Sequence, residues 1–139
     1  MCNPKKVFLL VTMLIIGMTC ITGCKKKNET EGEHNPLEFT VVEEADIPKD
    51  FLKIINEKKE KVFRISYTDN ESIYIARGYG AKESGGYSIS VSELYSTDDK
   101  VYLKTELIGP SEKEPVIRSV THPYIVVKIE FIDKEIVIE

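Results

Sequence analysis

Alternation between apolar and polar residues from Tyr87 to Leu107 restricts the fold more than any other feature of this chain. Tyr87, Ile89 and Val91 alternate with Ser88, Ser90 and Ser92; after the polar stretch Thr97-Asp98-Asp99-Lys100, Val101, Leu103, Thr105 and Leu107 alternate with Tyr102, Lys104 and Glu106. Successive side chains of a strand point to opposite faces, so the pattern predicts a hairpin with one dry face and one wet face. Val62 to Tyr67 and Ile73 to Tyr79, separated by Thr68-Asp69-Asn70-Glu71-Ser72, predict a second hairpin. Ile125, Val127, Ile129 and Phe131 line one face of a late strand, which Asp133-Lys134 turns into a short last strand, Ile136 to Ile138. Connections of hairpin length predict antiparallel pairing rather than βαβ units.

Ahead of these strands, Leu37 to Glu43 alternates loosely and reads as a first strand, with Phe39 and Val41 or Val42 pointing inward. Asp46-Ile47-Pro48 opens a helix, because proline is tolerated in the first turn and Asp46 or Asp50 suits the positive helix end. Ile47, Phe51, Ile54 and Ile55 recur on one helical face, and Asn56 to Glu60 forms a solvated end. The expected class is α+β, mostly β: a small antiparallel sheet or sandwich-like domain with one N-terminal amphipathic helix. Residues 37–139, about 100 in number, suffice for one such domain with a single core.

The first 23 residues have a different character. Lys5 and Lys6 precede an apolar run from Val7 to Ile16, and small residues, Thr22-Gly23, stand directly before Cys24. A basic start, a short apolar core and small residues before a cysteine describe a lipoprotein signal peptide over residues 1–23, with Cys24 as the lipidated first residue of the mature chain. The opposing reading, a transmembrane helix over residues 7–23, requires about 20 predominantly apolar residues, and Thr12, Gly17, Thr19, Thr22 and Gly23 dilute the run. Cys20, preceded by the bulkier Met18 and Thr19, is the weaker lipidation candidate. Residues 24–36 read as a polar tether, with Lys25-Lys26-Lys27 either resting on anionic headgroups or acting as a solvated spacer, and His34 solvated within it. The expected location is the extracytoplasmic side of the cell membrane, with acylated Cys24 in the bilayer.

Charge and composition exclude several functions. Lys5 and Lys6 leave with the signal, so 17 basic residues face 23 acidic ones, a net charge of −6. That balance gives no basic face for nucleic acid. All three cysteines, Cys2, Cys20 and Cys24, lie in the first 24 residues, so the domain has no internal disulfide, thiolate metal site or cysteine nucleophile. His122 is the only histidine of the folded part and has no second ligand or serine–carboxylate pair spaced around it. Ser84 and Ser88 do not form a nucleophile turn, and there is no glycine-rich phosphate loop. Glu93 and Glu106 can face each other across the first hairpin, but carboxylates are too common in this chain for that pairing to suggest catalysis. The reading is a non-enzyme with no cofactor and no metal.

Three segments carry a resemblance. Gly78-Tyr79-Gly80, then Ser84-Gly85-Gly86-Tyr87-Ser88-Ile89, then Val120 to Ile129 with His122-Pro123-Tyr124 at its start, resemble the C-terminal domain of the protease complex subunit PrcB family. In that family a Thr-Gly-Gly-Tyr element opens one strand and a Pro-Tyr element opens a later one; Ser84 here stands at the threonine position and keeps the hydroxyl. The resemblance covers roughly residues 60–139 and implies association with a secreted protease.

Two loops, Gly80 to Tyr87 and Gly109 to Tyr124, follow as candidate partner-binding elements. Ser84, Gly85, Gly86 and Tyr87 offer either a binding loop that a partner can approach closely or a tight turn into a strand, with Tyr87 on the Ile89–Val91 face. His122, Pro123 and Tyr124 follow a stretch stiffened by Pro110 and Pro115, and offer either a partner-facing edge or a plain connector. The expected function is a membrane-anchored lipoprotein whose small β-rich domain binds an exported protein, such as a secreted protease that it stabilises or localises. The alternative is a proteinase-inhibitor-like domain presenting these glycine- and proline-containing loops.

Overall fold

The computed structural model describes residues 33–139; the signal segment, Cys24 and the tether as far as Gly32 lie outside the described residues. Eight strands form two four-stranded sheets. In chain order they are β1 (Asn35–Pro36), β2 (Thr40–Val41), β3 (Val62–Thr68), β4 (Ser72–Tyr79), β5 (Ser88–Ser96), β6 (Lys100–Ile108), β7 (Tyr124–Glu130) and β8 (Glu135–Ile138), with helix α1 (Lys49–Lys58) between β2 and β3. One sheet has the order β1-β5-β6-β8 and the other β2-β7-β4-β3.

Three layers result. Ile73 and Ile75 of β4 and Ile125, Val127 and Ile129 of β7 meet Leu94, Val101 and Leu103 of β5 and β6 in an inter-sheet core. The opposite faces of β4, β3 and β7 present Tyr74, Ala76, Phe63 and Val126 to Ile47, Phe51 and Ile55 from the helical segment. An amphipathic helix is stable only against a matching apolar surface, and this sheet supplies it. β4 is consequently buried at every position from Ser72 to Gly78. The mostly β, sandwich-like class with one N-terminal helix matches the sequence expectation, as do both hairpins.

The differences have local causes. Leu37 to Glu43 is not one strand. Asn35 and Pro36 pair with β5, Leu37 N–H donates to Leu94 O at 3.0 Å, and the chain then crosses to the second sheet, where Thr40 and Val41 pair with β7. The tether reading therefore ends too late, because Asn35-Pro36 is already strand and His34 stacks on Tyr95 with ring centres 4.3 Å apart. Phe39 and Val41, expected inward, are exposed; Val42 packs beside the helix cluster. Ile54 lies off the buried helical face and is also exposed. Phe131 lies past the end of β7 and is exposed, unlike Ile125, Val127 and Ile129. Asp133-Lys134 does not fold the chain back onto β7. It carries the chain to the other sheet, where β8 runs parallel to β6.

A β-bulge reshapes the first hairpin. The β5–β6 register shifts between Val91 and Glu93, so Ser92 is an extra residue. Inward positions change from odd numbers (Ile89, Val91) to even ones (Leu94, Ser96), as a one-residue slip requires. The expected Glu93–Glu106 pairing does not form: Glu93 lies opposite Lys104, with Oε2 3.0 Å from Nζ, and Glu106 lies opposite Ser90. Tyr95 and Tyr102 then stack on the outer face, ring centres 5.1 Å apart.

Asp69 fixes the β3–β4 turn. Its Oδ1 accepts hydrogen bonds from Glu71 N–H at 2.9 Å and Ser72 N–H at 2.7 Å, and these bonds hold its carboxyl below the usual aspartate range. A depressed folded-state pKa contributes stability above the unfolded value of about 3.9 and loses it as pH falls through the folded value. The thermal-unfolding gap between the native protein and Asp69→Asn is expected to be constant above about pH 5 and to shrink below about pH 4. A gap that stays unchanged from pH 3 to pH 7 would rule out this role.

Candidate functional site

The strongest candidate surface is built where β4 and β6 end. Residues 80–87 connect β4 to β5, and residues 109–123 connect β6 to β7. Gly80 turns the chain out of β4 with φ +75°, and Ala81 N–H donates to Glu60 O at 3.2 Å. Lys82 and Thr121 then exchange main-chain hydrogen bonds of 2.8 and 2.9 Å. Gly85 N–H donates to Ile117 O at 2.9 Å, and the Thr121 hydroxyl donates to Ser84 O at 2.7 Å. Four bonds thus fasten two segments that have little regular structure. Backbone groups that would otherwise need water are satisfied within the pair, which restrains both loops.

Gly86 and Gly85 have different roles here. Gly86 has φ +87°, and a Cβ on it would lie 2.8 Å from Pro110 Cβ and 3.1 Å from Val116 Cγ1. Gly85 is open, its nearest such contact being Ile117 O at 3.8 Å. Of the two readings of the glycine pair, the tight turn describes Gly86: it lets the first loop lie on the proline loop. Tyr87 is half-buried, its ring beside Gly109 and its face 6.0 Å from Lys82 Nζ. The Ser84 hydroxyl donates only to the adjacent Gly85 O, at 3.2 Å.

His122, Pro123 and Tyr124 do not join this group. Pro123 O accepts from Tyr79 N–H at 3.0 Å, and Tyr124 pairs with Gly78, so this segment enters an interior strand rather than a strand at the sheet margin. His122 Nε2 lies 3.0 Å from Glu60 Oε1, an ion-pair distance without hydrogen-bond alignment. The Tyr124 hydroxyl donates to Glu44 Oε2 at 3.0 Å. Burial first, then that bond and the carboxylate charge, push its pKa up to about 12, so the proton stays in place at ordinary pH. These side chains line an open pocket of about 330 Å³ with Val41, Val42 and Glu44. A wider groove of about 940 Å³ lies under the crossover from β1 to β2, bordered by Leu37, Phe39, Ile129 and Phe131.

The two most exposed apolar side chains of the loop pair lie within the Gly109 to Tyr124 loop, ahead of its His122-Pro123-Tyr124 end. Ile117 is 78% exposed and Val120 60%. Their signal was present: apolar residues between Pro115 and Pro123 with no periodicity to place them on a buried face. Among the described residues, no three histidine, cysteine or acidic side chains cluster as a metal site requires.

Residues 73–130 match the family model of the PrcB C-terminal domain. The match runs from the second residue of β4 to the end of β7 and contains both loops, in agreement with the resemblance seen in the sequence. No curated protein and no solved structure matches the chain significantly. β1, β2, β3, α1 and β8 lie outside the PrcB-matched segment.

Gly86→Ala is expected to lower stability by about 1–2 kcal/mol, because an alanine there meets both a left-handed backbone and the Pro110 ring. Gly85→Ala is expected to stay within about 0.5 kcal/mol of the native protein. Urea unfolding of the two variants checks this, and equal effects would remove the distinction.

Proposed function

We propose that this chain is a non-catalytic, membrane-tethered subunit of an exported protease assembly, and that the joined 80–87 and 109–121 loops contact the protease or another exported partner. One observation carries the reading. Within the PrcB-matched segment, two loops are fastened into one surface that leaves Ile117 and Val120 in solvent, although the fold has an apolar core available. Exposed apolar side chains on a pre-ordered frame suit binding, since less conformational freedom is lost on association.

The geometry favours holding a partner over plugging its active site. A substrate-like inhibitor presents the carbonyl of its inserted residue to the protease's oxyanion donors. The Ile117 carbonyl is instead turned inward to Gly85 N–H. Lipid on Cys24 would place the domain at the extracytoplasmic membrane surface, and a short tether would raise its effective concentration near exported partners.

A photo-crosslinking residue at Ile117 of the full chain in intact cells is expected to capture an exported protease or a protein bound to one; the same residue at Tyr102, on the outer face of β6, is expected to capture none. Equal capture from both positions would sink the assignment. Incorporation of a fatty-acid analogue is expected to disappear in Cys24→Ala, and labelling that survives this change would refute the anchor.

A further inference from the structure

The four strands at the sheet margins differ greatly in length. β1 and β2 have two residues each and β8 has four, whereas β3 has seven. Among the described residues β3 pairs with β4 on one side only. The phase of its hydrogen bonds follows from two contacts: Asp69 N–H donates to Ser72 O at the turn, and Tyr79 N–H donates away from β3 to Pro123 O. Paired residues in an antiparallel ladder alternate between bonded and non-bonded. Phe63, Ile65 and Tyr67 therefore exchange bonds with β4, and the N–H and C=O groups of Val62, Arg64, Ser66 and Thr68 point to the open margin. The side chains of those same four residues are exposed, although they share the face of Ile73 and Ile75. An unpaired strand edge of this length is a template for another strand.

Its charge is specific. Arg64 lies directly opposite Arg77 on β4. Arg77 is only 7% exposed; its Nη1 donates to Phe63 O at 3.3 Å and Gly78 O at 3.0 Å, and its guanidinium sits 4.5 Å from the centre of the Tyr79 ring. Its Nε is buried without an acceptor. Among the described residues neither arginine has an acidic partner, although the chain is acidic overall. Like charges opposite each other on a sheet are unfavourable, and a buried cation calls for a counter-charge.

We propose that β3 is a docking edge for an extended segment of a partner protein that carries an acidic side chain beside Arg64. Main-chain bonds to Val62, Arg64, Ser66 and Thr68 supply the pairing, and the two arginines select the acid. A second copy of this chain is the wrong occupant: antiparallel β3–β3 pairing centred on Ile65 sets each Arg64 diagonal to the other, adding repulsion to an edge that already carries unpaired positive charge. This edge is separate from the loop pair and does not rest on the function proposed for it.

The test uses the full chain in detergent and a capped hexapeptide, Thr-Val-Glu-Val-Thr-Val, with a version carrying lysine in place of glutamate. Backbone amide NMR is expected to show shifts and slowed exchange at Val62, Arg64, Ser66 and Thr68, with Kd about fivefold weaker for the lysine peptide. Arg64→Glu is expected to invert that preference. Ser66→Pro removes an outward N–H at an edge, where proline is tolerated, and is expected to abolish binding while leaving the β4 amides in place. Absence of binding, shifts confined to other strands, an unchanged peptide preference in Arg64→Glu, or a β3-mediated dimer in sedimentation would each overturn the proposal.

Discussion

Burial of the β4–β7 pair on both faces is the constraint on which the rest of the structure depends. Ile75 and Val127 lie opposite each other with no exposed surface, facing the first sheet, while Ala76 and Val126 face α1. Each fully buried aliphatic side chain contributes about 1.5–3 kcal/mol relative to exposure, and two layers draw on the same two strands. The helix, the first sheet and the crossover from β1 to β2 are each positioned against this pair. Gly78 shows how closely it packs: the Phe63 ring occupies the space that a Cβ on Gly78 would need. One loop of the candidate surface leaves the end of β4 and the other runs into the start of β7, which explains how irregular segments can have a fixed relation to each other.

Local pattern predicted local structure well here. The β3–β4 and β5–β6 hairpins were legible because their turns are polar and their strands alternate, and α1 was legible from Ile47, Phe51 and Ile55. What the pattern could not show was which distant surface each element meets. Leu37 to Glu43 looks like one strand, yet it serves two sheets, and the residue at which it crosses is set by Leu94 and β7 rather than by its own composition. β8 follows a turn that resembles a hairpin turn, but its partner, β6, lies earlier in the chain. The bulge at Ser92 was hidden for a simpler reason. Ser90, Ser92 and Glu93 are all polar, so shifting the count by one residue leaves the local pattern almost unaltered.

The two loops were legible in the sequence; the faces they turn to each other and to solvent were not. Glycine and proline motifs marked the two loops that the structure joins, because such residues are used where backbones approach closely. Gly86, however, serves the contact between the loops, and the open side is that of Gly85, Ile117 and Val120. His122 to Tyr124, grouped with them in the sequence reading, turns toward Glu60 and Glu44. A linear motif reports that a segment is constrained; it does not report which face of the segment carries the constraint and which is left free.

Arg77 brings these threads together. A strand arginine is ordinarily the exposed member of an alternating pattern, yet β4 is buried from Ser72 to Gly78 and Tyr79 is half-buried. Its cost is partly offset by the Phe63 and Gly78 carbonyls and by the Tyr79 ring, whose hydroxyl reaches Thr105 of the facing sheet at 2.6 Å. A methionine or leucine would fill the same volume without a desolvated charge, and replacing buried ionic groups with apolar ones is often neutral or stabilising. Packing alone therefore gives no reason for a cation at this position. The acid proposed to dock from outside would supply one, arriving along β3, the neighbouring strand whose outer side is unpaired among the described residues. That strand starts beside Gly80, whose turn sets residues 80–87 on their course, so the frame that holds the open edge also holds the loop surface.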